Sequence, residues 1–373
     1  MMPQRAATPP AVAGHVVGHS SVRIWSLTSA ERLARQLRRA GATADAGAAE
    51  HIVLLRADWV YDEPLVKGLV RQATACTMYT DDGICVAAVV PPDRVEEVTP
   101  LLAAGKAPAD LPQLPAREIG GSFNKSLKKR EPPFLLPLTA ANQRDVETRV
   151  FSGSYKGVTD FVTRHIWPRP AQFVTHLCAR AGITPNMVTS ISLVFVLVAM
   201  WAFWHGHYGW GLAAGWLMTF LDTVDGKLAR VTLNSSKFGD LYDHSIDLLH
   251  PPFWWWAWIV GLPAAGFALG PDSIALQVII WGYILQRLQE GLFDVFFKVP
   301  MHMWRRIDSW FRLITARRNP NLAILTVATL LGRPDIGINT VAVWVAFCLV
   351  VHAVQIMQAG IARRRGPLVS WLS

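Results

Sequence analysis

Two hydrophobic rhythms divide the chain. From residue 22 to about residue 90, short apolar runs alternate with amphipathic ones. Ser29–Ala40 (SAERLARQLRRA) has helical spacing and stops at Gly41, His51–Arg56 (HIVLLR) reads as a buried strand, and 65–74 is helical by period. A further strand over 83–90 follows the Asp81-Asp82-Gly83 turn, and 23–27 adds a short one. Strands alternating with helices predict a small α/β layer with a largely parallel sheet. Pro91 and Pro92 end the last strand, and Pro100 argues against a long helix over 93–102. After residue 187 the rhythm changes to long apolar stretches at 187–205, 208–226, 238–262, 273–297, 317–332 and 336–360. Most are long enough to cross a bilayer.

Between the two regimes, Leu111-Pro112 and Leu114-Pro115 mark a linker-like stretch. The basic run 124–130 (NKSLKKR) reads as a solvated or lipid-facing surface, and 143–151 as a helix. Residues 159–180, broken near Pro168 and Pro170, set Phe161, Ile166 and Phe173 against Arg164, Arg169 and Arg180. Such a segment suits a membrane surface just before a first span. The expected organisation is a disordered tail over 1–20, an α/β domain over 21–120, a linker and juxtamembrane amphipathic helix over 121–182, and a transmembrane domain over 183–366. The fold class is thus an α-helical polytopic membrane domain of about six transmembrane helices, preceded by a small α/β cytoplasmic domain.

Composition agrees: 51% hydrophobic residues and a mean hydropathy of +0.26 are too apolar for an average soluble protein. The first 20 residues lack the apolar core of a signal peptide. A net charge of +9 is distributed around the spans. Lys and Arg cluster before the first span, in 227–237, across 298–318 and at Arg363, Arg364 and Arg365, while the loops near 206 and 262–272 have none. Six spans put every basic cluster on one side and only Arg333 on the other, which predicts an inner or plasma membrane protein with cytoplasmic termini. The basic residues flank apolar spans instead of interleaving with stacking aromatics, so nucleic acid is not an expected partner. Cys76, Cys85, Cys178 and Cys348 have no spacing suited to zinc or a disulfide framework.

The chemistry concentrates in 221–248. Asp222 and Asp225 are three apart, and Asp243 and Asp247 four apart, so on helices each pair shares a face. Carboxylates are costly in apolar spans and mark function. Four together ask for hard divalent cations, Mg²⁺ or Mn²⁺, and paired metals of this kind clamp phosphoryl oxygens. Gly226 and Gly239 leave room for close approach, and Arg230 suits a phosphate oxygen. His250-Pro251-Pro252 predicts a kink one turn past Asp247, and His244 and His250 read as packed or hydrogen-bonded groups. Arg317 and Arg318 suit positive-inside anchoring or the phosphate of an acceptor or lipid.

The pattern Asp222-x2-Asp225-Gly226-x2-Ala229-Arg230-x8-Gly239-x3-Asp243-x3-Asp247 resembles the signature of the CDP-alcohol phosphotransferases at every fixed position. The resemblance implies a two-metal site on Asp222, Asp225, Asp243 and Asp247, with Asp247 also the base for the acceptor hydroxyl. It implies a CDP-linked donor bound by Pro185, Asn186, Thr189, Asp222, Gly226, Ala229, Arg230, Ser236 and Gly239, and release of CMP. Either CDP-diacylglycerol or a CDP-polyol would serve as donor, an alcohol as acceptor, with membrane lipids around a homodimer. Residues 51–70 resemble the middle of a sugar-nucleotidyltransferase domain, in which Asp58 would be the metal-binding acid. The phosphate loop expected after the first strand lacks glycine over 24–29, which makes that domain degenerate and Asp58 a turn residue. The layout resembles fusion members such as the enzymes that make di-myo-inositol phosphate phosphate. A bifunctional enzyme with an active cytidylyltransferase domain, a non-catalytic scaffold and a cation transporter are the alternatives.

Overall fold

The computed structural model describes residues 11–43, 49–124 and 127–372. The chain forms two compact units, Met1–Tyr155 with Val231–Leu233, and Lys156–Arg230 with Asn234–Ser373.

The first unit is built on a five-stranded sheet in the order Val12–Val17, His51–Arg56, Cys85–Val90, Cys76–Tyr79, Gln113–Pro115. Val12–Val17 runs parallel to His51–Arg56, and Gln113–Pro115 parallel to Cys76–Tyr79, but both central pairings are antiparallel. The sheet is therefore mixed, not largely parallel. Both faces are covered. Val53 and Leu55 face α1 (Ser29–Ala40), α2 (Glu63–Val70) and α4 (Ala116–Gly120), while Ile52 and Leu54 face α3 (Val95–Ala103). That double coverage explains why HIVLLR and CVAAVV are continuously apolar. α1 starts on a Thr28–Glu31 capping box and ends at Gly41, whose φ of 101° needs glycine.

Several boundaries differ from the sequence reading. Val12–Val17 is a sheet strand inside the stretch expected as a tail, whose residues 1–10 lie outside the described residues, as do residues 125–126 of the basic run. The strand at 23–27 is a tight hairpin of Arg23–Ile24 with Leu27–Thr28. α3 continues through Pro100 because the acceptor it leaves without a donor, the Glu96 carbonyl, belongs to an exposed residue. The unit also extends past residue 120. Leu135–Pro137 pairs with Trp59–Tyr61, and Glu147 of α5 (Gln143–Gly153) accepts from Trp25 N at 2.9 Å. Asp58 occupies the turn before Trp59 and pairs with Arg56 at 2.6 Å, as a turn residue would.

The second unit is helical: α6 (Pro168–Arg180), α7 (Pro185–Trp204), α8 (Tyr208–Val231), α9 (Lys237–Gly261), α10 (Ile274–Phe297), α11 (Arg306–Phe311), α12 (Arg318–Leu330) and α13 (Pro334–Arg363). Six of these fall on the six apolar stretches. Among the described residues, α7 and α13 are long and apolar enough to cross a membrane. The core joins Phe203, Trp254, Trp258, Ile279, Leu322, Leu325, Ile338 and Val345. Its buried indoles are satisfied, Trp254 by the Val196 carbonyl at 2.9 Å and Trp258 by that of Pro334 at 3.2 Å. α9 runs through Pro251 and Pro252. Proline at 252 withdraws the N–H that Leu248 O would accept, and the Tyr283 hydroxyl donates there instead at 2.9 Å.

Helix crossings rest on glycine. A Cβ on Gly261 would lie 1.9 Å from Phe203 O and 2.9 Å from Trp204 O, which are backbone atoms that cannot turn aside. Gly261→Ala should destabilise the protein by about 1–3 kcal/mol or more. A lowered thermal midpoint in detergent would show it, against Gly209→Ala, whose Cβ meets nothing within 4 Å.

Candidate active site

The acidic pattern converges. Carboxylate oxygens of Asp222 and Asp225 on α8 and of Asp243 on α9 lie within 4.8 Å of one another. Asp225 is 3% exposed; its Oδ2 accepts from Thr189 Oγ1 at 2.6 Å, while its Oδ1 is buried with no partner among the described residues. A buried carboxylate oxygen without a donor is costly. Three carboxylates with oxygens this close together, one of them lacking a donor, fit a hard cation, which takes oxygen ligands. Asp247, one turn further along α9, is tied in by Arg318: Nη2 reaches Asp222 Oδ2 and Nη1 reaches Asp247 Oδ1, each at 2.5 Å.

Two helix N-termini meet beside the acids. Thr184 caps α7, with Pro185 in its first turn, and Ser236 caps α9 by accepting from Gly239 N at 3.0 Å. A Cβ on Gly239 would lie 2.5 Å from Asn186 Oδ1, so glycine is what lets the start of α7 approach the start of α9. On α8, a Cβ at Gly226 would stand 3.1 Å from Arg230 Nη2, placing the guanidinium along the same face. The Ala229 carbonyl accepts from Asn234 N at 3.0 Å and closes the turn after the helix. Pro185, Asn186, Thr189, Gly226, Ala229, Arg230, Ser236 and Gly239 therefore all lie on α7, α8 and α9 within a few turns of the aspartates.

Against Asp247 opens a cavity of about 240 Å³ lined by Arg287, Arg312, Arg317 and Arg318, with Asp160, His244, Tyr283 and Asn319. Among the described residues, Arg312 Nη1 is buried and without a partner. Arg317 is paired to Glu290, and Arg287 Nη2 reaches Glu290 Oε1 at 3.1 Å. Burial alone would raise the Asp160 carboxyl, but hydrogen bonds from Asn319 and Thr163 hold it below the ordinary carboxylate value. Four guanidiniums and two carboxylates line the cavity, and Glu290 and Asp222 pair with three of those guanidiniums from outside its lining, so what it offers an anion is guanidinium donors more than net charge. His250 is buried with Nδ1 at 2.6 Å from Ile246 O, a hydrogen-bonded group as expected.

Sequence reasoning singled out the stretch 317–321, of which Arg317, Arg318 and Asn319 line this cavity, but placed Arg287, Arg312, Tyr283 and Glu290 at no site. The signal for two of them was present: Arg287 and Glu290 are charges inside an otherwise apolar stretch.

The family model for CDP-alcohol phosphatidyltransferases matches residues 182–304. An archaetidylinositol phosphate synthase of Pyrococcus horikoshii is 39% identical over 84 residues, 22% of this chain and 43% of the relative. A phosphatidylinositol phosphate synthase of Mycobacteroides abscessus is 31% identical over 107 residues, 27% of this chain and 45% of the relative. The likeness to CDP-alcohol phosphatidyltransferases rests on this segment of the chain. A phosphatidylinositol phosphate synthase of Streptomyces avermitilis matches at 31% over 88 residues, 23% of this chain and 34% of the relative. The chain thus spans less than half the length of each of these curated relatives. The CDP-alcohol phosphatidyltransferase segment contains the whole acidic pattern together with Arg287 and Glu290, whereas Arg312, Arg317 and Arg318 lie beyond it.

Proposed function

We propose that this protein transfers a substituted phosphate from a CDP-linked lipid to a phosphorylated polyol and releases CMP. One observation carries the reading: Arg318 joins the aspartate cluster to an arginine-lined cavity, so an acceptor phosphate held there would present its hydroxyl beside Asp247. The relatives named as archaetidylinositol phosphate and phosphatidylinositol phosphate synthases support a lipid donor and an acceptor that already bears phosphate.

Asp222, Asp225 and Asp243 would hold Mg²⁺ or Mn²⁺, which offsets charge on the donor pyrophosphate. Arg230, Asn186, Thr189 and the capped N-terminus of α9 orient the CDP part, where Gly239 and Gly226 keep the approach open. Arg287, Arg312, Arg317 and Arg318 bind the acceptor phosphate. Asp247 accepts the proton of the acceptor hydroxyl as its oxygen bonds to the β-phosphorus. The bond from that phosphorus to the bridging oxygen breaks, and CMP leaves with the electron pair. Positioning and electrostatics supply most of the rate in such transfers.

The six helices on the apolar stretches are read as spans, with cytoplasmic termini. Exposed apolar side chains along α7, α10 and α13 support a lipid-facing exterior, among them Val194, Leu197, Leu285, Leu292, Val343 and Val350. α12, 13 residues long, rises only about 20 Å and would cross with local thinning of the bilayer. Pairing of two copies through these helices is part of the same reading, as is a nucleotidyltransferase-like first domain without transfer activity. A cation path is disfavoured, since Arg318 stands among the acids that would line it.

Metal dependence tests the reading. Chelation of the purified protein should abolish CMP release, and Mg²⁺ or Mn²⁺ should restore it. Full activity after chelation would remove the role given to Asp222, Asp225 and Asp243.

A further inference from the structure

Resting on the cavity as an acceptor-phosphate site, we propose that Glu290 is a positioning residue that holds Arg287 and Arg317 in the geometry that selects a phosphorylated acceptor. Glu290 lies on α10 with its side chain 17% exposed. Its Oε2 accepts from Arg317 Nη2; its Oε1 accepts from Arg287 Nη2 at 3.1 Å and meets His302 Nε2 at 3.2 Å. One carboxylate therefore grips two of the four cavity guanidiniums, each by a single nitrogen, and is itself braced from behind by a histidine. Arg287 lies over the Tyr283 ring, 5.6 Å from its centroid, and Tyr283 is fixed in turn on Leu248 O.

The charges explain why such a group is needed. Arg287, Arg312 and Arg317 line one small cavity, and unshielded like charges close together repel strongly in a medium of low dielectric. A carboxylate behind two of them lets the wall exist before any ligand arrives. It also fixes the guanidinium planes, which bidentate recognition of phosphate requires. A charged group inside an apolar span is costly to keep, which favours a working role over a packing one.

Glu290, His302 and His352 also have ligand atoms within 4.8 Å of one another, the spacing of a metal site. Both Glu290 oxygens are already engaged by guanidiniums, and a dication there would face Arg287 and Arg317 directly. The carboxylate is spent on the arginines. His352, fully buried with neither ring nitrogen partnered among the described residues, packs against Phe311 and His302.

The test is binding of inorganic phosphate by the full-length protein in detergent, by titration calorimetry, together with steady-state CMP release, for wild type, Glu290→Gln and Glu290→Asp. Glu290→Gln should weaken phosphate binding and raise the acceptor KM at least tenfold, with the donor KM within about twofold of wild type; Glu290→Asp should recover part of the loss. A simple folding defect would move both KM values, or neither. If wild type binds phosphate and Glu290→Gln binds it equally or more tightly, the positioning role is overturned while the cavity assignment stands. If wild type itself binds none, the cavity assignment falls and takes this role with it. Stoichiometric zinc in the purified protein, lost in His352→Ala, would also overturn the role.

Discussion

Asp247→Asn should bind the CDP-linked donor as wild type does and release CMP about 10²–10⁴-fold more slowly, the range a positioned base contributes. Asparagine keeps the shape of the side chain and can still accept from Arg318, but it cannot take a proton. Asp247 lies at the junction of the acid cluster and the cavity, on the face of α9 that also carries Asp243, with Oδ1 on Arg318 Nη1. The loss should therefore fall on kcat, with the donor Kd unchanged. Retention of more than a tenth of wild-type kcat would place the base elsewhere.

A second large effect belongs to the acceptor. Arg312→Gln should raise the acceptor KM by about 10- to 150-fold, the equivalent of the 1.5–3 kcal/mol typical of a hydrogen bond to a charged group. Its Nη1 is buried with no partner among the described residues, so it gains a hydrogen bond from an arriving phosphate oxygen. Removing the phosphate from the acceptor should cost more, because all four guanidiniums then lose their partner. Measuring kcat/KM for the acceptor with and without phosphate, in wild type and Arg312→Gln, checks both. The variant should lose the share of the discrimination that Arg312 supplies; equal rates for the two acceptors in wild type would exclude a phosphate-reading cavity.

What the chain disclosed in advance follows the range of the forces involved. The aspartate pattern was legible because carboxylates at helical spacing inside apolar runs leave a local trace, and Gly239 within it marks a close approach that the fold uses. Helix α1 and the strand His51–Arg56 were legible from their caps and periodicity. Val12–Val17 was not, since Gly14 and His15 interrupt its apolar run and its neighbour lies 39 residues on, with Val12 opposite His51. Strand direction in the sheet was hidden for the same reason: alternation shows that a segment is a strand, not which partner it meets. The cavity was the least legible feature. Its walls come from residue 160, α9, α10, α12 and the segment before α12, and no window of sequence contains them together.

The most direct measurement is the mass of the product formed when the purified protein is given Mg²⁺, a CDP-linked lipid and a phosphorylated polyol such as inositol phosphate. A lipid product carrying two phosphorus atoms, formed in step with one CMP per molecule and absent in Asp247→Asn, is the predicted result. CMP release without such a product, or no release with any lipid donor and phosphorylated acceptor despite bound metal and donor, would contradict it.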